Sequence, residues 1–278
     1  MVKQKDVAVV KTNAVPAIFQ EDLEANAGGG MEGATSEDMT IPFLVIMQDL
    51  TPEAKKRDPA YIDGAEPSMF FNTALRRIYS GEVGLRIVPV FYRRSYKEWV
   101  PRAGGGGFVG ERDATILEQT TRNDRGKDVL ATGNEIVTSG DWYCLVLHDD
   151  GTVDQVVVAM SSTQLKKSRR MLTMLKNVQL PRSSGKGTFN PPMWYNIVKI
   201  VSVPESNDQG SWFGFDSSLD GNLGSLDEEV GRQVMDMAKA FGEAVSSGAV
   251  RASPPPSEGG SADAPVAGDE GGDEIPFD

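Results

Sequence analysis

The segment DWYCLVLHDDGTVDQVVVAMS, Asp141–Ser161, decides the fold class. Two runs rich in β-branched and aromatic residues flank Asp-Asp-Gly-Thr, where Asp bonds its own backbone and Gly supplies positive φ, so the segment reads as a β-hairpin. Upstream, GLRIVPVFYRRSYKEWV (Gly84–Val100) is long enough for a bent strand. Pro89 cannot donate to a ladder and places an edge or a bulge within it. Downstream, MWYNIVKIVSVPES and GSWFGFDS read as a further strand or two. IPFLVIMQDL (Ile41–Leu50) is apolar enough to be buried, as a strand or as a helical turn. Several strands punctuated by turns predict a mainly β fold, a barrel or a sandwich, with one or two helices.

The first of those helices is SSTQLKKSRRMLTMLKNV, Ser161–Val178, which opens on Ser and Thr as N-cap candidates. It sets Leu165, Leu172 and Leu175, with Met171 or Ser168, along one stripe. The second is SLDEEVGRQVMDMAKAFGEAVSSG, in which Leu226, Val230, Val234, Met237 and Phe241 recur at spacings of three and four. Residues 1–39 show little periodicity and read as a flexible N-terminal arm, with one short helix near Ile18–Asn26. The expected organisation is therefore an arm over 1–39, a barrel over 40–216, an acidic amphipathic helix over 217–248 and a disordered acidic tail over 249–278.

Of the 278 residues, 39% are hydrophobic, enough for a substantial core. No window approaches the run of about 18 apolar residues that a membrane span needs, and MVKQKDVAVVK lacks the apolar region of a secretory signal. A soluble, cytoplasmic protein is expected. One cysteine, Cys144, and one histidine, His148, exclude a disulfide framework and a Cys/His zinc site within one chain. His148 beside Asp149-Asp150-Gly151 reads as an exposed turn residue. The net charge of −12 argues at first against a polyanionic partner, but its distribution reverses that. Residues 42–204 carry 22 Lys/Arg against 17 Asp/Glu, whereas residues 1–41 carry 3 against 7 and residues 205–278 carry 3 against 16. A basic body with acidic ends is a pattern of nucleic-acid-binding chains.

Gln155–Pro204 sharpens this, with eight Lys or Arg and no Asp or Glu. Cations track phosphates while rings stack on bases, which is what a single strand needs. The candidate groove residues are Arg86, Arg93, Arg94, Tyr96, Lys97 and Trp99 from the long strand, Lys166, Lys167, Arg169 and Arg170 from the basic helix, and Lys186 and Trp194 beyond it. RSSGKGTFNPP (Arg182–Pro192) lacks the GxxxxGK[ST] spacing and follows a helix, so it reads as a basic loop that touches phosphates. PRAGGGGFVGER (Pro101–Arg112) reads as a hairpin tip. Asp141, Asp149, Asp150 and Asp154 are close enough in sequence to raise a carboxylate-metal nuclease, but DDGT is first of all a turn. No enzymatic activity, cofactor or metal is expected.

The chain ends GDEGGDEIPFD after a stretch of Pro, Gly, Ser and Ala too poor in apolar side chains to order itself. Two hydrophobes on such a tail point to a partner surface. Asp273-Glu274-Ile275-Pro276-Phe277 closely resembles the acidic tip of bacterial single-stranded DNA-binding proteins, which ends Asp-Asp-Ile-Pro-Phe. Phage proteins of that kind also end in acidic tails carrying a Phe. The resemblance implies an OB-fold β-barrel that binds single-stranded DNA. It further implies a tip that docks on replication, recombination and repair proteins, with Ile275, Pro276 and Phe277 as anchor and Asp273 and Glu274 facing a basic rim. Here Asp278 follows the Phe on which the family's tip ends. The segment from PFLVIMQ through FFNTALRRIYSGEVGLRIVPVFYRRSYKEW is similar to uncharacterised bacteriophage proteins, which would place the chain in the host cytoplasm. The function expected is sequence-tolerant single-stranded DNA binding in phage replication or recombination, with homo-oligomers possible. The alternative is an adaptor or inhibitor that uses the tip to capture a host replication or repair protein.

Overall fold

The Asp141–Ser161 hairpin forms as expected, and the rest of the barrel is assembled around it. The structure, a computed structural model, describes residues 17–27, 29–33, 40–207 and 210–252; the tip, Asp273–Phe277, lies outside them. In chain order the elements are α1 (Ala17–Ala25), β1 (Thr40–Ile41), β2 (Leu44–Ile46), β3 (Phe70–Asn72), β4 (Arg77–Tyr79), β5 (Leu85–Val100), β6 (Gly107–Arg112), β7 (Thr120–Arg122), β8 (Asp128–Leu130), β9 (Glu135–Leu147) and β10 (Val153–Ser161). They continue with α2 (Gln164–Lys176), β11 (Leu180–Pro181), β12 (Thr188–Phe189), β13 (Asn196–Asn207), β14 (Gly210–Asn222), α3 (Glu228–Ser246) and β15 (Arg251–Ala252).

Strands β5, β9 and β10 run up and down as neighbours, and the chain then crosses through α2 to lay β13 against the other edge of β5. The spatial order β13-β5-β9-β10 is that of a Greek key, which β14 extends as a hairpin partner of β13. Five strands in this arrangement make a partly open, OB-like barrel. Between β10 and β14 the closure uses one backbone bridge and two side chains. Phe43 bridges to Val157 of β10, and Gln48, just past β2, donates to Phe213 O at 2.9 Å and accepts from Phe213 N at 2.8 Å. Gln164, opening α2, accepts from Phe215 N at 2.8 Å. Two glutamine amides thus satisfy backbone groups that an adjoining strand would otherwise pair.

Pro89 marks a bulge, since the β5–β9 register shifts between Pro89 and Phe91. Alternation along the strands serves two cores. Ile87, Trp142, Cys144, Val146, Val198 and Ile200 face the barrel interior, closed at one end by Met171 and Leu175 of α2. Val88, Tyr143, Leu145, Val157 and Ile197 face outward and are covered by Val234, Ala238 and Phe241 of α3. Burial pushes the Cys144 thiol far above its ordinary range, leaving it protonated in the interior.

Several local expectations shift. Thr163 stands at the N-cap of α2 but its side chain makes no capping bond. The buried stripe of α3 is Gly231, Val234, Ala238 and Phe241, while Val230 and Met237 are 40% and 39% exposed. The helix turns its small residues inward because a Cβ at position 231 would lie 2.7 Å from Leu223 O, so contact there needs glycine. His148 is no exposed turn residue. It stacks on Tyr79 with ring centroids 5.5 Å apart and its Nε2 lies 3.0 Å from Asp154 Oδ2, which also accepts from the Tyr79 hydroxyl. Burial and the Asp154 charge push the Tyr79 pKa up to about 12, and this cluster fastens β4 to the β9–β10 hairpin.

Gly140 is where α2 meets the sheet. A Cβ there would sit 2.5 Å from Ser168 Oγ and 3.1 Å from the Tyr92 ring, and that same hydroxyl accepts from Trp142 Nε1 at 2.9 Å. Gly140→Val is expected to lower stability by about 1–3 kcal/mol, as overpacking does, read as a lower urea midpoint at unchanged slope. Gly110→Ala, where a Cβ meets nothing within 4 Å, is the control. Equal midpoints for the two would overturn this account of helix–sheet contact.

Candidate nucleic-acid interface

The residues read from the sequence as one groove fall on two faces of the β5–β9 pair and at its ends. Tyr92 and Trp142 point into the barrel under α2, with ring centroids 4.8 Å apart, whereas Phe91 and Tyr143 point outward. By the same alternation Arg94 and Tyr96 share the face of Tyr92, and Arg93, Lys97 and Trp99 lie on the opposite one.

The outward face holds a cleft of about 800 Å³. Phe91, Phe108, Tyr143 and Phe43 line it, and the segment following α3 forms its far wall. Its cations are matched. Lys97, 7% exposed, holds Asp141 at 2.8 Å, and Ser95 and Ser139 each donate to that carboxylate at 2.7 Å. Arg93 pairs with Glu111 at 3.0 Å, and Arg112 pairs with Glu98 at 2.6 Å. Hydrogen bonds from Asn134 and Arg112 hold the Glu98 carboxyl below the usual range, so that partner stays ionised. Lining the cleft are three basic residues, Arg93, Lys97 and Arg112, and three acidic ones, Glu111, Asp113 and Asp141, for a formal sum of zero.

Two expectations meet a physical obstacle on this face. Lys97 is a buried ion-pair partner, its ammonium 5.6 Å from the Phe43 ring centroid, and Trp99 is 7% exposed against Phe108. In this conformation neither has the open surface that phosphate or base contact requires. Trp194 packs among the residues beneath α3, with Lys239 over its ring at 5.5 Å. Arg86 lies at the far end of β5 in a 2.8 Å pair with Asp220.

The inward face continues into a surface of different character. Gly140, the partner of Arg94 across the ladder, abuts Ser168 of α2, so Arg94 projects on the side of the basic helix. Along α2, Lys167 and Arg170 are held by Glu205 and Asp216, at 3.0 and 3.1 Å. Lys166 and Arg169 are exposed with no acidic partner among the described residues. The helix runs into the β11–β12 hairpin, whose position is set by Asn190 donating to the Lys176 and Val178 carbonyls and Thr188 donating to Gln179. Every residue from Pro181 to Asn190 is exposed, including Arg182 and Lys186. Gly185 and Gly187 at φ 71° and 75° make the turn. Two residues of the loop read from the sequence as touching phosphates, Arg182 and Phe189, were not among the individual groove candidates. Phe189 is 37% exposed, with the Arg182 guanidinium 5.9 Å from its ring centroid. The signal was present, since an aromatic at a hairpin base among cations has no core to enter.

The carboxylates considered for a nuclease are dispersed into local contacts: Asp141 with Lys97, Asp154 with His148, and Asp150 with the Thr152 hydroxyl at 2.6 Å. Among the described residues no three His, Cys, Asp or Glu side chains converge in the manner of a metal site. None of the described helices is long and apolar enough to cross a membrane.

Compared with known proteins, the chain matches no curated protein and no solved structure. It does match a family model, that of the Pam3 phage gp34-like protein, over residues 10–251, a span that takes in the barrel, the basic helix and α3. The chain therefore belongs to the Pam3 phage gp34-like protein family, a family of bacteriophage proteins.

Proposed function

We propose that the protein binds single-stranded DNA without strong sequence preference, along the surface formed by Arg94 and Tyr96, the exposed side of α2 and the β11–β12 hairpin. The observation that carries this reading is the lack of charge compensation there. Lys166, Arg169, Arg182 and Lys186 are exposed and lack acidic partners among the described residues, and an accessible ring, Phe189, lies within their reach. Cations paired within the protein must first lose their partners to bind phosphate, whereas unpaired ones release counterions directly. An OB-like barrel and a basic, aromatic-bearing surface are the combination that sequence-tolerant strand binders use.

The C-terminal tip completes the reading. Residues 253–278 carry seven acidic side chains and no basic one. In this proposal the tail competes with DNA for the basic surface and, once displaced, offers Ile275-Pro276-Phe277 to replication, recombination or repair proteins. If the tip alone is functional, the protein is an adaptor, and DNA affinity is absent.

Anisotropy of labelled oligo-dT, titrated at several salt concentrations with duplex as control, tests the surface. Replacing Lys166, Arg169 and Lys186 by Ala is expected to reduce the slope of log K against log salt by about 2, at roughly 0.7 per lost phosphate contact. Phe189→Ala should cost about 1–3 kcal/mol if a base stacks on it. Arg93→Ala, in the compensated cleft, should change neither. An unchanged slope in the triple variant would remove α2 and the hairpin from the interface, and no binding by the intact protein would leave the adaptor.

A chain ending at Ala252 is expected to bind oligo-dT more tightly than the full chain at low salt, with the difference vanishing as salt rises. Equal affinities at low salt would refute competition by the tail.

A further inference from the structure

We propose that Glu205 and Asp216 make the basic surface of α2 selective for single strands, by closing one shoulder of the helix to a second row of phosphates. This rests on the proposed function and adds the residues that set its substrate class.

The cations of α2 are sorted by side. At about 100° per residue, Ser168, Met171 and Leu175 mark the buried direction. Lys166 then lies at the crest of the exposed arc, Arg169 on one shoulder, and Lys167 and Arg170 on the other. That second shoulder faces the β13–β14 hairpin, and both of its cations are taken. Glu205 of β13 holds Lys167 at 3.0 Å, and Asp216 of β14 holds Arg170 at 3.1 Å. Lys166 and Arg169, at the crest and on the first shoulder, have no acidic partner among the described residues.

Single strands and duplexes ask different things of such a helix. With side chains a helix is about 10–12 Å across, close to the roughly 12 Å width of the major groove of B-DNA. A helix basic on both shoulders therefore suits a duplex, whose groove presents a row of phosphates to each. A single strand brings one row. The crest and the first shoulder are enough to follow it toward Arg182, Lys186 and Phe189 of the β11–β12 hairpin, all of them exposed.

Glu205 is more than a counterion that a phosphate could replace. Its Oε2 accepts from Gln164 Nε2 at 2.8 Å and from Trp212 Nε1 at 2.9 Å, and Gln164 in turn accepts from Phe215 N at 2.8 Å. If a phosphate drew Lys167 away, these neutral donors would keep the carboxylate in place with its charge unbalanced. The side chain is 19% exposed, so water and salt screen that charge only in part. Rejection of a wrong partner is built in this way, by fixing like charge where only that partner brings it. A purely structural role, fastening α2 to β13 and β14, would instead predict lower stability without the pairs and no change in the choice of strand.

Anisotropy of labelled oligo-dT and of a duplex of equal length, each at several salt concentrations, separates the two. Glu205→Gln/Asp216→Asn keeps the shapes and an acceptor oxygen at each site. At low salt its affinity for duplex is expected to rise about tenfold more than its affinity for oligo-dT. Its duplex slope of log K against log salt should steepen by about 2, at roughly 0.9 for each of Lys167 and Arg170 that gains a phosphate, with the oligo-dT slope unchanged. Asp216→Asn alone, at a side chain 36% exposed, should give about half that change and covers the case in which the double variant does not fold. If the wild type binds oligo-dT but the variants keep its ratio of duplex to single-strand affinity, the acidic shoulder has no part in selection and the proposed function stands. A wild type that binds duplex as tightly as oligo-dT would likewise overturn the inference, and one that binds neither would overturn both.

Discussion

Because β5 and β9 pair from Arg86↔Leu147 to Trp99↔Glu135, each side chain along both strands is assigned to one of two faces, and nearly everything else follows from that assignment. A slip of one residue would send Trp142 out of the barrel and Tyr143 into it. Both are almost wholly buried, at 0% and 2% exposure, against different elements, so a slipped register would disrupt α2 and α3 at once. Trp142 adds a hydrogen bond to Ser168 that only one face can supply. The bulge at Val90 lets so long a pair bend round the interior without losing that assignment.

The same alternation sorts the charges. On the outward face α3 and the chain beyond it crowd the strands, so a cation there is partly removed from water and must be matched. Lys97 shows the extreme case, with an ammonium and a carboxylate buried together and two serine hydroxyls satisfying the remaining carboxylate lone pairs. Removing one partner of such a pair costs several kcal/mol, although the pair itself contributes little net stability. On the side of α2, Lys167 and Arg170 are paired with Glu205 and Asp216, while Lys166 and Arg169 stay in water, where lacking an acidic partner costs almost nothing. Structure therefore neutralises one set of basic residues and leaves the other available.

That distinction is invisible in a string of letters, and it explains which sequence expectations survived. The hairpin at Asp141–Ser161, the bulge at Pro89 and the basic helix were legible because each rests on local rules of turn chemistry, ladder donors or period. Both helices appear where their apolar spacing places them, within two or three residues at each end. The buried stripe of α3 was misread by one position because apolarity was the guide, whereas Gly231 and Ala238 pack for their smallness. Lys97 and Trp99 looked like groove residues because a strand buried on both faces carries no alternation to show which side is wet. Trp194 is covered by α3, which lies more than thirty residues further along the chain. A cover that distant leaves no local signal. The tip of the tail stands apart, since its reading came wholly from resemblance.

The position of α3 has a consequence for any OB-like strand binder. In open five-stranded barrels the face of the second and third strands is a usual place for oligonucleotides, and here those strands are β9 and β10. Their outward side chains, Tyr143, Leu145 and Val157, are 2% exposed or less, packed with Val234, Ala238 and Phe241. Uncovering that face would expose about half the apolar core, far beyond what phosphate contacts at the surface return. Under the proposed function the polyanion is met elsewhere, on the surface built by α2 and its hairpin across the sheet from α3, where Lys166, Arg169, Arg182 and Lys186 are exposed without acidic partners among the described residues. On the opposite face, the charges lining the aromatic cleft beyond the end of α3 sum to zero. A barrel divided in this way separates a face whose charges are matched from one where cations stand in water.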